Sequence, residues 1–269
     1  MMSTYSMNGT VSLVGAGPGD PELLTVKAVK AIQKADILIF DNLVSDAIQT
    51  TFPATALPIF VGKSKGCHSM SQDDINTLML KYATQGKRVC RVKGGDAFIF
   101  GRGSEEMLFL TEHGIQVDVV PGITAASGCT TYADIPLTHR GLSQSCTFIT
   151  AHADKELSID WQALVQLNQT LVIYMGLSKA RQIQTQLLQH GMNKRMPVAI
   201  IEKGCTKAQR NLLGELHELA DLAERQHIES PALIVIGKVI TIAEQMASLK
   251  ASLDQKQHDY PALYLPLTA

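Results

Sequence analysis

Three glycine-bearing strings and a few isolated charges are the parts of this chain whose residue types could do chemistry. Gly15-Ala16-Gly17-Pro18-Gly19 follows one apolar run and Lys93-Gly94-Gly95-Asp96 follows another, while Pro121-Gly122-Ile123-Thr124-Ala125-Ala126-Ser127 opens a stretch of small residues. Glycines at such points let the backbone approach a ligand, and a carboxylate such as Asp96 can accept hydrogen bonds from hydroxyls or an ammonium. A tight turn with a solvated aspartate is the plainer reading of the same string. Asp41 closes the run Ile37–Phe40 and Lys63 follows Val61-Gly62. Both stand at carboxyl ends of expected strands, where α/β enzymes bind ligands. A carboxylate there can take a proton and an ammonium can give one, although most aspartates and lysines are simply solvated. Lys63, Lys65, Arg91, Arg102, His139 and Arg140 fall in the same loops, a set of cations suited to a ligand with several carboxylates.

The first glycine string invites a dinucleotide reading, in which G-x-G-x-x-G aims a helix N-terminus at a pyrophosphate. Here Asp20 stands at the third glycine position, Pro18 and Pro21 stiffen the loop, and the helix starts only near Thr25. That is late for its first amides to meet a phosphate. Asp41 nevertheless lies about where an acidic residue would bind a ribose. Spacing alone leaves a dinucleotide site, another ligand site and a plain turn all open.

The elements that must position these residues alternate regularly. Residues 11–14, 37–40, 88–92 and 115–120 read as strands, separated by helices opening at Thr25, Ser71 and Ser104 and closed at Gly86 and Gly114. Val26, Val29 and Ile32 are the expected inner face of the first helix, and Asp74 sits in capping-box position after Ser71. Pro121-Gly122 is a candidate hinge. Beyond it, residues 146–150, 171–175, 198–202 and 232–236 read as strands, with helices near 179–190 and 215–225; 210–213 is ambiguous and would make that sheet mixed. The expected fold is α/β, with a mainly parallel first sheet in residues 10–121, a mixed second sheet in 122–245, and tails at 1–9 and 255–269.

Composition narrows the class. Apolar residues make up 45% and charged residues 18% of the chain, and the net charge is −1 without a basic run. No footprint for nucleic acid or an anionic membrane is visible, and no apolar run is long enough to span a bilayer. The start of the chain lacks the pattern of a secretory signal, so a cytoplasmic protein is expected. Cys67, Cys90, Cys129, Cys146 and Cys205 are scattered, as free thiols in a reducing compartment would be. The pair Cys67-His68 lacks partners at metal-binding spacing, so no metal is expected.

Taken in order, GAGPGDPELLT (15–25), VCRVKGGDAFIFGRGSEE (89–106), VVPGITAASG (119–128) and IPLTHRG (135–141) resemble the motifs of the tetrapyrrole (corrin/porphyrin) methylases, a likeness running from about Thr10 to about Ile240. The resemblance implies two α/β domains with a cofactor cleft between them, S-adenosyl-L-methionine as methyl donor with S-adenosyl-L-homocysteine as its product, and a homodimer. It is closest to members that methylate uroporphyrinogen III twice at carbon, giving precorrin-2 for sirohaem or cobalamin. A methylase of a later precorrin is the alternative on the same fold, and an NAD-dependent oxidoreductase the alternative outside it. The family pattern assigns Pro18, Gly94, Gly95, Asp96, Ile99, Thr124, Ala125, Met175 and Gly204 to the cofactor, Asp41 as proton acceptor and Lys63 as proton donor. Without it Met175 would read as core filler and Gly204 as a turn. Arg91, Arg102, His139 and Arg140 are then expected to meet the acetate and propionate arms of the substrate. The chain departs from the family at Ala97 (usually proline), Ser104 (usually glycine) and Phe40 (usually tyrosine). In such a reaction an electron-rich pyrrole carbon displaces a sulfonium methyl in line, so positioning is the larger task. A proton must then leave the ring, which a nearby carboxylate can accept.

The departures from G-x-G-x-x-G at Pro18 and Asp20 predict calorimetric binding of S-adenosyl-L-homocysteine and no heat with NAD. Tight NAD binding without a response to the adenosyl ligand would overturn the resemblance-based reading.

Overall fold

The computed structural model describes residues 9–62, 70–152 and 159–259, with side chains up to residue 253 in the last stretch. Its first half runs β1 (Thr10–Gly15), α1 (Val26–Lys34), β2 (Ile37–Phe40), α2 (Asp46–Gln49), β3 (Leu57–Phe60), α3 (Gln72–Thr84), β4 (Val89–Lys93), α4 (Gly103–Glu112) and β5 (Gln116–Val120). The strands form one sheet in the order β3-β2-β4-β1-β5, parallel throughout. Parallel pairing needs crossovers that cover both faces, so inner strands become continuous apolar runs, and β2 (ILIF) is buried along its length. Successive residues then go to opposite layers. Leu38, Cys90 and Val92 pack with Ala28, Ile32 and Ile48 of α1 and α2, whereas Ile37, Ile39 and Val89 pack with Ile75, Met79 and Leu110 of α3 and α4. On this second face β4 also carries Arg91 and Lys93, both buried.

Two helices differ from expectation, one in its buried face and one in its cap. Thr25 does cap α1, its Oγ1 accepting from the Ala28 amide at 3.1 Å, but Val26 is 71% exposed and Val29 is also outside, while Ile32 is 1% exposed. The inward stripe is Ala28 and Ile32. Val26 and Ile32, six residues apart, point about 120° away from each other round the helix and cannot share a narrow face. Ser104 does not cap α4, because that helix already begins at Gly103, with Arg102 at the cap in the left-handed region (φ 58°) and no side-chain cap bond. The loop folds back on itself there, the Gly103 amide donating to Ala97 O at 3.0 Å.

The second half runs α5 (Ala125–Tyr132), β6 (Cys146–Thr150), α6 (Trp161–Gln166), β7 (Thr170–Tyr174), α7 (Ala180–Gln189), β8 (Pro197–Glu202), β9 (Arg210–Glu215), α8 (Leu219–Arg225), β10 (Ala232–Ile236) and α9 (Ile240–Asp259). Its sheet has the order β6-β7-β10-β8-β9, with β6–β7 parallel and the other pairs antiparallel, hence mixed. The ambiguous stretch at 210–213 is β9, which extends to Glu215; a short 3-10 turn (Leu216–Glu218) therefore precedes α8 where a helix from 215 was expected. Leu171 and Ile173 face Trp161, Ile183, Leu187 and Leu219 of α6, α7 and α8, while Val172 between them faces Ala126, Cys129 and Val239 on the side of α5 and α9. α9 carries the chain to Asp259, so the expected tail from 255 is helical in its first residues. Among the described residues no helix is long and apolar enough to cross a membrane.

The burial of α1 makes a paired prediction. Ile32→Ala should cost about 2–4 kcal/mol in urea unfolding, and Val26→Ala no more than about 0.5 kcal/mol. Equal losses would return Val26 to the core.

Candidate active site

The carboxyl ends of β1, β4 and the end of β5 meet with almost no side chains between them. The Ala16 amide donates to Lys93 O at 2.8 Å, and Gly17 and Gly95 exchange backbone bonds of 3.0 and 2.7 Å. A Cβ on Gly15 would stand 2.7 Å from the Gly122 nitrogen and 2.8 Å from Gly95 O, and one on Gly122 would stand 2.5 Å from the Gly15 carbonyl carbon. Only glycine allows three backbones this close. Asp96 locks the assembly: Oδ1 accepts from the Phe98 and Ile99 amides at 2.9 and 3.2 Å, and Oδ2 accepts from the Gly122 amide at 3.0 Å. The expected freedom of Asp96 to serve a ligand is thus largely taken up by its own loop and the next one.

Loops of the second half close over this floor. Pro18 lies against Gly128 of α5, where a Cβ would meet its Cγ at 2.5 Å, and Gly19 packs on the Gly204–Thr206 turn that follows β8. Asp20 does not take the role of a third glycine. Its Oδ2 accepts from Tyr132 Oη at 2.7 Å and its Oδ1 from the Glu22 amide at 2.8 Å. These bonds hold its carboxyl below the usual range, and push the Tyr132 phenol up to about 12. Thr124 is the N-cap of α5 but makes no side-chain cap bond; its Oγ1 meets Tyr174 Oη at 2.5 Å, and Tyr174 Oη accepts from the Ala126 amide at 2.8 Å. Tyr174 therefore caps α5 from β7. Its ring also packs against Phe100 of the Gly94–Gly103 loop, centroids 4.8 Å apart and planes tilted by 55°, joining the two halves. Met175 next to it has φ 53° and is 47% exposed. Gly204 sits between Lys203 and Cys205, both at positive φ, and is pressed against Cys129. The Cys129 thiol, in contact with Cys205 and buried, is pushed well above the usual thiol range, and burial takes Cys90 up to about 12.

Asp41 lies beside these loops, held from two sides. Its Oδ1 accepts from the Leu43 amide at 3.0 Å and its Oδ2 from Arg91 Nη2 at 2.7 Å. Leu43 in turn abuts Gly94, where a Cβ would come within 2.5 Å of the Leu43 Cβ. Gly94 thus has a structural reason of its own: a side chain there displaces the Asp41 loop. Ser45 Oγ donates to Gly19 O at 2.5 Å and ties that loop to the first glycine string. Beneath Asp41, Arg91 Nε faces Glu106 Oε1 at 3.4 Å and Lys93 Nζ donates to the same oxygen at 2.9 Å. Burial, then the neighbouring Arg91 cation, press the Lys93 ammonium below the usual lysine range, while Glu106 opposes them.

The structure thus brings Pro18, Gly94, Gly95, Asp96, Ile99, Thr124, Ala125, Met175 and Gly204 to one set of converging loops with Asp41 beside them. Three of the expected substrate contacts do not fit that picture. Arg91 is 3% exposed and spends its donors inward on Asp41, Glu106, Ile39 O and Val92 O. His139 and Arg140 belong to a turn closed by the His139–Ser143 bridge, and Ser143 Oγ accepts from the Thr170 amide at the start of β7, the far end of the strand from Met175. Arg102 remains at the loops, exposed and bidentate to Glu105 at 2.6 and 3.0 Å. Lys63, Lys65, Cys67 and His68 lie outside the described residues. The sequence reading gave no role to the side chains of Lys93, Glu106, Tyr174 and Phe100. The one signal for the first was a pair of cations, Arg91 and Lys93, alternating within a strand that otherwise reads as buried. Among the described residues no group of three His, Cys, Asp or Glu could hold a metal ion.

A sequence model of the Tetrapyrrole (Corrin/Porphyrin) Methylases matches residues 10–220. A siroheme synthase of Ruthia magnifica is 48% identical over 259 residues, covering 96% of this chain and 55% of that protein. A siroheme synthase 2 of Yersinia enterocolitica is 52% identical over 241 residues, covering 90% and 51%. The chain thus spans about half the length of the curated relatives it matches. A solved uroporphyrin-III C-methyl transferase from Thermus thermophilus, complexed with S-adenyl homocysteine, is 35% identical with a TM-score of 0.76, covering 87% of this chain and 100% of that one. A cobalt precorrin-4 methyltransferase at 24% identity and a TM-score of 0.77 shares the fold.

Asp96→Ala should leave backbone amides without acceptors at the floor. Unfolding in urea should show a loss of about 1–3 kcal/mol, with weaker S-adenosyl-L-homocysteine binding in the folded protein. Weaker binding at unchanged stability would mean that Asp96 serves the ligand and not the loops.

Proposed function

The chain belongs to the tetrapyrrole (corrin/porphyrin) methylases, and from that footing we propose that it transfers methyl groups from S-adenosyl-L-methionine to carbon atoms of uroporphyrinogen III. Two transfers, one at a time, yield precorrin-2 for sirohaem or cobalamin synthesis. The observation that carries this reading is the convergence of the glycine floor, the α5 N-terminus and the Tyr174–Met175 corner beside a held carboxylate, Asp41.

These residues fit an adenosyl methyl donor better than a dinucleotide. Gly95 (φ 70°) keeps a side chain out of the space between its loop and α5, where a Cβ would already touch the Ala125 nitrogen at 3.7 Å. Exposed Met175 and Phe98 offer apolar surface near that space. Residues 15–25 contain no basic side chain, and α1 opens only at Val26, behind a 3-10 turn, so neither a cation nor a helix start is offered to a pyrophosphate. Pro18, Gly94, Gly95, Asp96, Ile99, Thr124, Ala125, Met175 and Gly204 would hold the donor. Bound there, it supplies an electrophilic methyl group for a pyrrole carbon.

The chain's own work is to orient that carbon and to dispose of a proton. Asp41 accepts the proton that the ring releases after methylation. Its two oxygens are held by the Leu43 amide and Arg91, so the carboxylate keeps one direction through the transfer. Lys63 belongs to the same proposal as the proton donor. Among the described residues Arg102 is the exposed cation at these loops, and a carboxylate arm would compete with Glu105 for its donors. A homodimer and a cytoplasmic location are proposed with the activity, supported by the family resemblance.

Anaerobic incubation with uroporphyrinogen III and S-adenosyl-L-methionine should give a product heavier by two methyl groups in the mass spectrum. Asp41→Asn should slow single-turnover methylation by roughly 10²–10⁴-fold and leave S-adenosyl-L-homocysteine affinity nearly intact. The opposite pattern, lost binding with a full rate at saturation, would make Asp41 a cofactor ligand.

A further inference from the structure

We propose that Glu106 is a positioning residue for the methyl transfer: it touches no ligand, aims Arg91 at Asp41, and balances the buried charge of Lys93. The inference rests on the reading of Asp41 as the proton acceptor. Glu106 is 0% exposed and lies on α4, across the layer from β4. Three donors converge on its Oε1: Lys93 Nζ at 2.9 Å, Gln72 Nε2 at 3.1 Å and Arg91 Nε at 3.4 Å, while its buried Oε2 has no hydrogen-bond partner. Its neighbour Glu105 points out to Arg102 and makes none of these hydrogen bonds.

The Arg91 guanidinium is fixed on all its edges. Nη1 donates to Val92 O at 3.1 Å and reaches Ile39 O at 3.4 Å, Nε faces Glu106, and Nη2 is left with Asp41 at 2.7 Å. The plane of the fork therefore follows from where Glu106 stands, and the fork sets the angle of the Asp41 carboxylate. Charge matters as much as direction. Asp41 after β2, Arg91 and Lys93 on β4, and Glu106 on α4 make two cations and two carboxylates in one poorly hydrated layer, with Arg102 at the cap of α4, Glu105 in its first turn and Asp73 of α3 at its margin. Stability alone does not call for a glutamate here, because apolar residues of similar volume commonly replace buried ion clusters at no loss. The set makes sense as a holder for the one member that faces outward, Asp41.

Removing either inner charge should move Asp41 in opposite senses. Glu106→Gln leaves two cations to one carboxylate, which makes Asp41 a weaker base; Lys93→Met leaves an extra anion and makes it a stronger one. The experiment measures single-turnover methylation of uroporphyrinogen III against pH, with S-adenosyl-L-homocysteine titration and thermal melting, for these variants and Asp41→Asn. Expected is a rate loss of about tenfold or more in Glu106→Gln. The acid limb should shift down the pH scale there and up in Lys93→Met, by about 1 in each case, with cofactor affinity within about threefold of wild type. Folded variants whose limbs stay put or move the same way would overturn the proposal, as would a rate loss that merely tracks lost cofactor binding. Should Glu106→Gln fail to fold, Lys93→Met decides alone: an upward limb supports the role and an unmoved limb overturns it. A full-rate Asp41→Asn instead sinks the underlying assignment, whereas a slow Asp41→Asn beside an unmoved Glu106→Gln sinks only the positioning role.

Discussion

The ion pair between Arg91 and Asp41 joins the core of the first sheet to its rim, and much else is arranged so that it can exist. A guanidinium at 3% exposure is expensive to hold, since the penalty for burying an ion amounts to several kcal/mol even after relaxation. Here the cost is offset by two backbone carbonyls, by Glu106 and by Asp41 itself. That solution requires a central parallel strand, β4, whose alternate residues reach one face, and a helix, α4, whose first turn brings a carboxylate over that face. It also requires β2 to end at Phe40, so that Asp41 leaves the sheet where Arg91 can still reach it.

The second half of the chain contributes in another currency. It supplies neither of the carboxylates in the buried set; it supplies ends of elements. Tyr174 closes the start of α5 and packs on Phe100, and the Gly204 turn receives Gly19. A parallel sheet puts the carboxyl ends of all its strands at one edge. A mixed sheet does not, so β7 and β8 present their carboxyl ends to the cleft while antiparallel β10 runs the other way. Met175 and Gly204 accordingly follow β7 and β8.

Legibility from the sequence follows the range of the forces involved. Burial on both faces writes itself as an apolar run, so inner strands such as β2 and β10 were readable, as were local caps such as Thr25, whereas β3 is mostly exposed and was given no bounds. The polar Arg210 and Asn211 made β9 ambiguous because an edge strand has less to bury. Valines at 26 and 29 look like core by composition, yet only Ala28 and Ile32 face the sheet. The inward partners of Arg91 were hidden for a deeper reason. A cation at the end of a strand looks like a ligand contact until its partner is known, and Glu106 reaches it from a separate element across the layer. His139 and Arg140 belong to a string that matches the family, but a motif carries no statement of which end of β7 its turn will occupy. Nothing in the spacing pointed to Tyr174, whose effect depends on the hydroxyl at the tip of one ring.

The meeting of Gly15, Gly95 and Gly122 bears on how the gene can vary. Every missense change at a glycine codon adds at least a Cβ, and at Gly15 and Gly122 that atom would fall within 2.7 Å of backbone from a different segment of the chain. No neighbouring side chain can swing aside to make room, because the obstacles are main-chain atoms. Elsewhere, as at solvent-facing Val26, a lineage can try substitutions one by one and keep the harmless ones. At the floor of the cleft there is no graded series to explore, so divergence in ligand preference has to be written in the surrounding loops, around a centre that stays fixed.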